Sequence, residues 1–147
     1  DVVFSSNSRQ VTVDMLPDVP PVWADEIFLE RILVNLLTNA EKYSPANLPV
    51  EIKVTQQNEI VGITVTDYGP GIPAEMQDIV FDRFQRLENG KLVNANGLGL
   101  GLYLAKMLTT AQNGLLTIES PVHSNPDTPG TSFNLILPVT EEVPEYA

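Results

Sequence analysis

The chain has 147 residues, 43% of them hydrophobic, a net charge of -11 and no cysteine. That is enough to bury one sizeable core, and it excludes a disulfide framework and a thiolate nucleophile. The acidic balance argues against nucleic acid and anionic membranes as partners, although a small anion needs only a local cradle of donors. No run of about 20 apolar residues is present to span a bilayer, and no stretch reads as a signal peptide. The single histidine, His123, lies among Ser, Asn and Pro in a predicted loop, which argues against a histidine metal cluster. The pattern opens midway at Asp1, as in a piece cut from something longer.

In chain order, RQVTVDML (9–16) alternates and is rich in Val and Thr, which predicts a strand. PDVPP follows as a loop. Asp25 is placed to cap a helix over EIFLERILVNLLTNAEKY, which Pro45 closes. Leu29, Leu33, Leu36, Leu37 and Ala40 form its predicted core face. VEIKVTQQ and EIVGITVTD predict a hairpin with its turn near Asn58. YGPGIP is a glycine-proline turn, and AEMQDIVFDRFQRL carries one or two short helical turns. ENGKLVNAN (88–96) is polar and reads as an irregular, mobile loop. A second helix follows, with Leu100, Leu104, Met107, Leu108 and Ala111 as its predicted buried face. GLLTIES and GTSFNLILPV are the last strands, and residues 140–147 read as a loose tail. The sum is an α+β domain: a two-layer α/β sandwich with a mixed, mostly antiparallel sheet and its helices on one face.

Three stretches could carry chemistry. Arg31, Asn35, Asn39 and Lys42 share one side of the first helix at spacings of four, four and three. Such a side is either an ordinary solvated face or a ligand face. Asn is a mediocre helix former, an amide carbonyl can ligate magnesium beside phosphate oxygens, and a lysine one turn on can neutralise phosphate charge. DYGPGIP (67–73) puts a carboxylate at the end of an apolar strand, followed by Gly69 and Gly71. It is either a capped turn or a buried acceptor for the exocyclic amine of a purine. NGLGLGL sets Gly97, Gly99 and Gly101 at a helix start, where free N–H groups and the helix dipole favour phosphate; the bland alternative is a flexible loop before a core helix. It fits neither G-x-x-x-x-G-K-[ST] nor G-x-G-x-x-G.

The order of these pieces, NLLTNAEKYSP, DYGPGIP, FDRFQR, NGLGLGL and PGTSF, resembles the N, G1, F and G2 boxes and the last glycine-threonine motif of sensor histidine kinase ATP-binding catalytic domains. These belong to the superfamily that includes DNA gyrase, a heat-shock chaperone and MutL. The resemblance runs from about Arg9 to Val139 and implies the Bergerat-type ATP-binding fold. It implies that Asn39 holds magnesium, that Asn35 lines the phosphate region, that Lys42 contacts phosphate and that Tyr43 lies against the nucleotide. Asp67 would accept from adenine N6 with support from Thr131, and Gly69, Gly71 and Ile72 would shape the adenine pocket. Phe81 and Phe84 would anchor the base of a lid, and Arg86 would reach the phosphates from it. Gly97, Leu98, Gly99, Leu100, Gly101 and Leu102 would form the hinge and phosphate loop. Leu98 departs from the Thr or Ser often found there, which removes a hydroxyl contact but not the backbone role.

Relatives that hydrolyse ATP carry a glutamate where this chain has Asn35. An amide takes no proton from water, so Asn35 fits transfer to another nucleophile. The resemblance therefore implies a protein-histidine kinase using ATP and Mg2+. The acceptor histidine would lie on a separate dimerisation domain, expected before Asp1, with a response regulator downstream and a cytoplasmic location. Two other readings share the sequence: a serine kinase of the anti-sigma-factor type, and a non-catalytic nucleotide-sensing or docking module.

Overall fold

A computed structural model describes residues 10–15, 17–82, 85–88, 91–94 and 101–139, with residues 85–88 and 91–94 described by their backbone. The elements are β1 (Val11–Met15), α1 (Glu26–Tyr43), β2 (Val50–Gln57), β3 (Ile60–Thr66), two single 3-10 turns (Ala74–Met76 and Ile79–Phe81), β4 (Gln85–Glu88), β5 (Lys91–Asn94), α2 (Gly101–Ala111), β6 (Leu115–Glu119) and β7 (Ser132–Pro138). Five strands form one sheet in the order β1-β2-β3-β7-β6. The β1/β2 pair is parallel and the other three are antiparallel, which is the mixed, mostly antiparallel sheet expected from the sequence.

Helix α1 starts and stops where its sequence says. The Asp25 carboxylate accepts from the Ile27 and Phe28 amides at 2.9 and 3.0 Å, satisfying two of the donors a helix start leaves open. At the other end the Ser44 amide donates to the Ala40 carbonyl at 3.0 Å. The β2–β3 hairpin turns at Asn58, whose φ of 55° is a conformation Asn tolerates well. One face of the five-stranded sheet meets the helices. Val50, Val65, Leu116, Phe133, Leu135 and Leu137 pack there against Ile32, Leu36, Leu37 and Ala40 of α1 and Ala105 of α2. Full burial of one such large apolar side chain contributes about 1.5–3 kcal/mol. Leu29 and Leu33, expected in the core, are half-buried at its margin.

Two expectations need correction. The predicted buried face of α2 is rotated: Leu104 and Met107 are 38% and 49% exposed and Ala111 is exposed, while Ala105 and Thr109 are buried and Leu102 and Leu108 pack on the core. Small residues let α2 lie close against α1, and the Thr109 hydroxyl satisfies itself on the Ala105 carbonyl at 2.7 Å. The stretch 88–96, expected to be irregular, contributes to a two-stranded antiparallel sheet in which Gln85 faces Asn94 and Glu88 faces Lys91. Leu100 and the tail at 140–147 lie outside the described residues.

Both helices are also fastened at one end. The Asp25 amide donates to the Gln112 side-chain oxygen, and Gln112 donates in turn to the Leu108 carbonyl, so the first turn of α1 is clasped to the last turn of α2. No helix among the described residues is long and apolar enough to cross a membrane.

Candidate functional site

The site is built where β3 and β7 run out. Their last ladder pair is Thr66 with Ser132, whose hydroxyls are 2.7 Å apart. One residue further, Asp67 and Thr131 continue the pairing with a side chain. The Asp67 amide donates to the Thr131 carbonyl at 2.9 Å, and the Thr131 amide donates to Asp67 Oδ1 at 3.1 Å. The same oxygen accepts from the Gly69 amide at 2.9 Å. Asp67 is thus 4% exposed and held in one orientation by backbone N–H groups. With about four acceptor positions, a carboxylate can serve its own backbone and an amine donor at once.

The chain after Asp67 folds back over the end of α1. A Cβ on Gly69 would sit 3.0 Å from the Tyr43 carbonyl oxygen and 3.2 Å from Asp67 Oδ1, so a side chain there would press the two segments apart by a few tenths of an ångström. The Tyr68 amide donates to Ser44 Oγ at 3.1 Å, completing the join. Tyr43, Ser44, Asp67, Gly69 and Thr131 are therefore one cluster, brought together from three separate stretches. Lys42 Nζ lies 5.4 Å from the centre of the Tyr43 ring. Gly71 has φ 76°, and the Ile72 amide that follows donates to Ser120 Oγ at 2.9 Å.

Ser120 and Gln77, neither singled out from the sequence, tie the turn to the rest. Ser120 Oγ donates to the Gly130 carbonyl at 2.7 Å and accepts from Thr131 Oγ1 at 3.2 Å. Thr131 was expected to support Asp67; its backbone amide does so directly, while its hydroxyl goes to Ser120. Gln77 Nε2 donates to the Ile72 and Ser120 carbonyls, both at 3.0 Å. These residues were missed because their partners are mostly backbone atoms distant in sequence, which leave no spacing to read.

On α1, Arg31 and Lys42 are exposed, whereas Asn35 and Asn39 are half-buried. Asn35 Nδ2 is out of water and has no hydrogen-bond partner among the described residues. The helix side expected to be either solvated or ligand-facing is thus not simply solvated at its middle. A buried donor with no acceptor costs about 1–3 kcal/mol, so its retention invites an acceptor from outside the chain. The Phe81 ring meets Phe133 edge-on at 6.0 Å, and Lys106 Nζ sits 4.8 Å from the Phe81 ring centre while donating to the Leu116 carbonyl. Gly101 and Leu102 open α2, and Leu102 packs on the core. Arg86 lies in β4 opposite Val93. Phe84, Gly97, Leu98 and Gly99 lie outside the described residues, as does Leu100.

On the opposite side of the Asp67 turn, the Tyr68 hydroxyl donates to Glu51 at 2.9 Å. That bond to the carboxylate, with burial and the Glu51 charge adding to it, raises the phenol pKa above its ordinary value. The Tyr68 ring stacks on His123 with centroids 3.9 Å apart and planes 2° from parallel. His123 Nε2 lies 3.0 Å from the Asp67 carbonyl oxygen.

Comparison with known proteins agrees with this geometry. Residues 24–141 match the family described as histidine kinase-, DNA gyrase B-, and HSP90-like ATPase. The chain is 34% identical over 137 residues to the adaptive-response sensory kinase SasA of Gloeothece citriformis, covering 92% of this chain and 33% of that protein. It is 44% identical over 128 residues to the sensor protein KdpD of Rathayibacter rathayi, covering 87% of this chain and 14% of that one. The chain thus spans a third or less of these curated relatives. Among solved structures, the mycobacterial sensor histidine kinase MprB superposes with a TM-score of 0.74 at 29% identity, covering 89% of this chain and 82% of that one. The chain belongs to the histidine kinase-, DNA gyrase B- and HSP90-like ATPase family, as a catalytic ATP-binding domain of the histidine kinase kind.

Proposed function

We propose that the 147 residues act as one cytoplasmic catalytic domain. It binds Mg-ATP and delivers the γ-phosphoryl group to a histidine imidazole on a dimerisation domain of the same protein, for onward transfer to an aspartate of a response regulator. The observation that carries this reading is Asp67: a carboxylate buried at the rim of the β3/β7 pair, oriented by the Gly69 and Thr131 amides and seated beside the end of α1.

In this reading Asp67 accepts from adenine N6, and Gly69, Gly71 and Ile72 give the base its close approach. Tyr43 flanks the nucleotide, and Asn35, Lys42, Arg86 and the glycines 97, 99 and 101 face the phosphates. The orphaned Nδ2 of Asn35 fits a donor whose acceptor is a phosphate oxygen. Among the described residues no cluster of three or more His, Cys, Asp or Glu side chains could hold a metal. That fits magnesium carried mainly by phosphate oxygens and water, with the Asn39 amide oxygen as a protein ligand. Magnesium, when bound, neutralises charge on the phosphates. In the transfer, the bond from the γ-phosphorus to the bridging oxygen breaks, a phosphorus–nitrogen bond forms and ADP leaves. The chain's own part is to hold the phosphates in line and stabilise their charge, since Asn35 offers no base for water.

Calorimetric titration with ADP and a non-hydrolysable ATP analogue, with and without magnesium, tests this. Adenine-specific binding that tightens with magnesium, and that loses its magnesium dependence in Asn39→Ala, is the expected result. No binding at millimolar nucleotide sinks the reading in favour of a docking module. Phosphate release should be barely measurable; brisk turnover points instead to the gyrase-like branch.

A further inference from the structure

We propose that His123 is a positioning residue for the purine acceptor, acting through the Asp67 main chain; this rests on the nucleotide reading above. Asp67 presents one carboxylate oxygen to two amides, but its peptide must also be fixed for that carboxylate to point one way. Its N–H is held by the Thr131 carbonyl at 2.9 Å. Its C=O is held at 3.0 Å by Nε2 of His123, 56 residues away. A carbonyl oxygen only accepts, so His123 Nε2 carries the proton.

The surroundings hold the imidazole for this contact. Tyr68, the residue after Asp67, stacks flat on the ring and is itself moored to Glu51. Gly130, at φ 72°, leaves the space the ring edge needs: a Cβ there would fall 2.4 Å from the Asp67 carbonyl oxygen, 2.5 Å from His123 Cδ2 and 2.9 Å from Nε2. The amides of Val122 and His123 both donate to the Pro129 carbonyl at 2.9 Å, which closes the loop that carries the ring.

The consequence is specific to the base. The Tyr68 amide of the same peptide donates to Ser44 Oγ at 3.1 Å, so loss of the His123 contact loosens one side of that peptide and weakens recognition of the 6-amino group. It leaves the phosphate side, built on α1 and α2, as it was. ITP differs from ATP in carrying an oxygen where ATP has that amine. ITP also carries an N–H at N1 where adenine has an acceptor, so the ratio of their dissociation constants reads the base edge that Asp67 faces and not the phosphates.

The test is calorimetry of the whole chain with Mg-ATP and Mg-ITP. Wild type discriminates; absence of discrimination or of binding there overturns the nucleotide reading itself. In His123→Phe, which keeps the stack, and in His123→Asn, whose amide reaches only as far as Nδ1, ATP should weaken about three- to tenfold, the range of one neutral hydrogen bond, with ITP unchanged. His123→Gln, whose Nε2 matches the imidazole Nε2, should restore the wild-type ratio. If every folded variant keeps the wild-type ratio, or ATP and ITP weaken in equal proportion, His123 only shapes the loop and the proposal is wrong. The Asn variant carries the decision if Phe does not fold.

Discussion

Asp67 and Thr131, 64 residues apart, hold each other twice: the Asp67 amide donates to the Thr131 carbonyl at 2.9 Å, and the Thr131 amide donates to Asp67 Oδ1 at 3.1 Å. The second bond uses a side chain where a ladder would use a backbone carbonyl. The carboxylate thereby closes the sheet and points at the site in one geometry.

This arrangement predicts an exchange of base preference. In Asp67→Asn the amide oxygen can keep both backbone bonds, which turns the amide NH2 toward the base. Two donors then face each other with ATP and ADP, and both should weaken by about tenfold or more. A 6-oxo purine gains a donor, so ITP should bind Asp67→Asn better than ATP does. Titration with the three nucleotides checks it. Loss of ATP binding alone, with ADP kept, would assign Asp67 to the phosphates instead.

Asn35 sets stability against binding. Its Nδ2 is buried with no partner among the described residues. Asn35→Leu, similar in shape, removes that orphan and should raise the stability of the nucleotide-free domain by about 1 kcal/mol. For a chain of this size that is a rise in melting temperature of about 2–4 °C. ATP affinity should fall by about tenfold in the same protein, as expected when a donor to a charged phosphate is lost. A melting scan and a titration on one preparation decide both halves.

Two glycines should respond oppositely to alanine. At Gly130 the backbone is at φ 72° and a Cβ would meet the Asp67 carbonyl oxygen at 2.4 Å. Gly130→Ala should lower stability by about 1–3 kcal/mol and weaken ATP as well. At Gly101 a Cβ would meet nothing within 4 Å among the described residues, and the residue opens α2. Gly101→Ala should leave the fold intact or stabilise it by up to about 1 kcal/mol, the difference in helix propensity. Denaturant melts of the two variants give the comparison.

Tyr68 gives the domain a pH dependence at the alkaline end. Its folded pKa lies above 10.0 because the hydroxyl donates to Glu51, with partial burial and the Glu51 charge adding to the effect. The folded state therefore binds this proton more tightly than the unfolded chain. The contribution is fully present below pH 10.0 and is lost as pH rises through the folded value. Wild type should lose more stability than Tyr68→Phe across that range. Equal slopes for the two proteins would remove the Glu51 bond from the account.

Much of this was legible in the sequence because it rests on local rules. Asp25 caps α1 at the predicted position and Asn58 turns the predicted hairpin. Asp67 stood out as an acid ending an apolar strand before two glycines. The face of α2 was misread because large apolar residues were taken as its core stripe, whereas Ala105 and Thr109 are what fit under it. The β4–β5 pairing was passed over although Asn89-Gly90, a strong two-residue hairpin signal, stands between the strands. The contacts of His123 with the Asp67 carbonyl and of Gln77 with the Ser120 carbonyl left no trace, because the fold brings these groups together from 56 and 43 residues apart.

The strand order carries one last consequence, for the making of the protein. β7 comes after the other four strands of this sheet in chain order yet sits inside it, between β3 and β6. Until residues 131–138 have left the ribosome, β3 has a bare edge, Leu116 and α1 lack Leu135 and Leu137 as packing partners, and Asp67 has no Thr131. The nascent chain can form helix α1 and the β2–β3 hairpin early, but neither the closed core nor the Asp67–Thr131 junction exists before β7 arrives. Truncation at residue 130 should therefore yield an aggregating product, not a smaller domain that binds weakly.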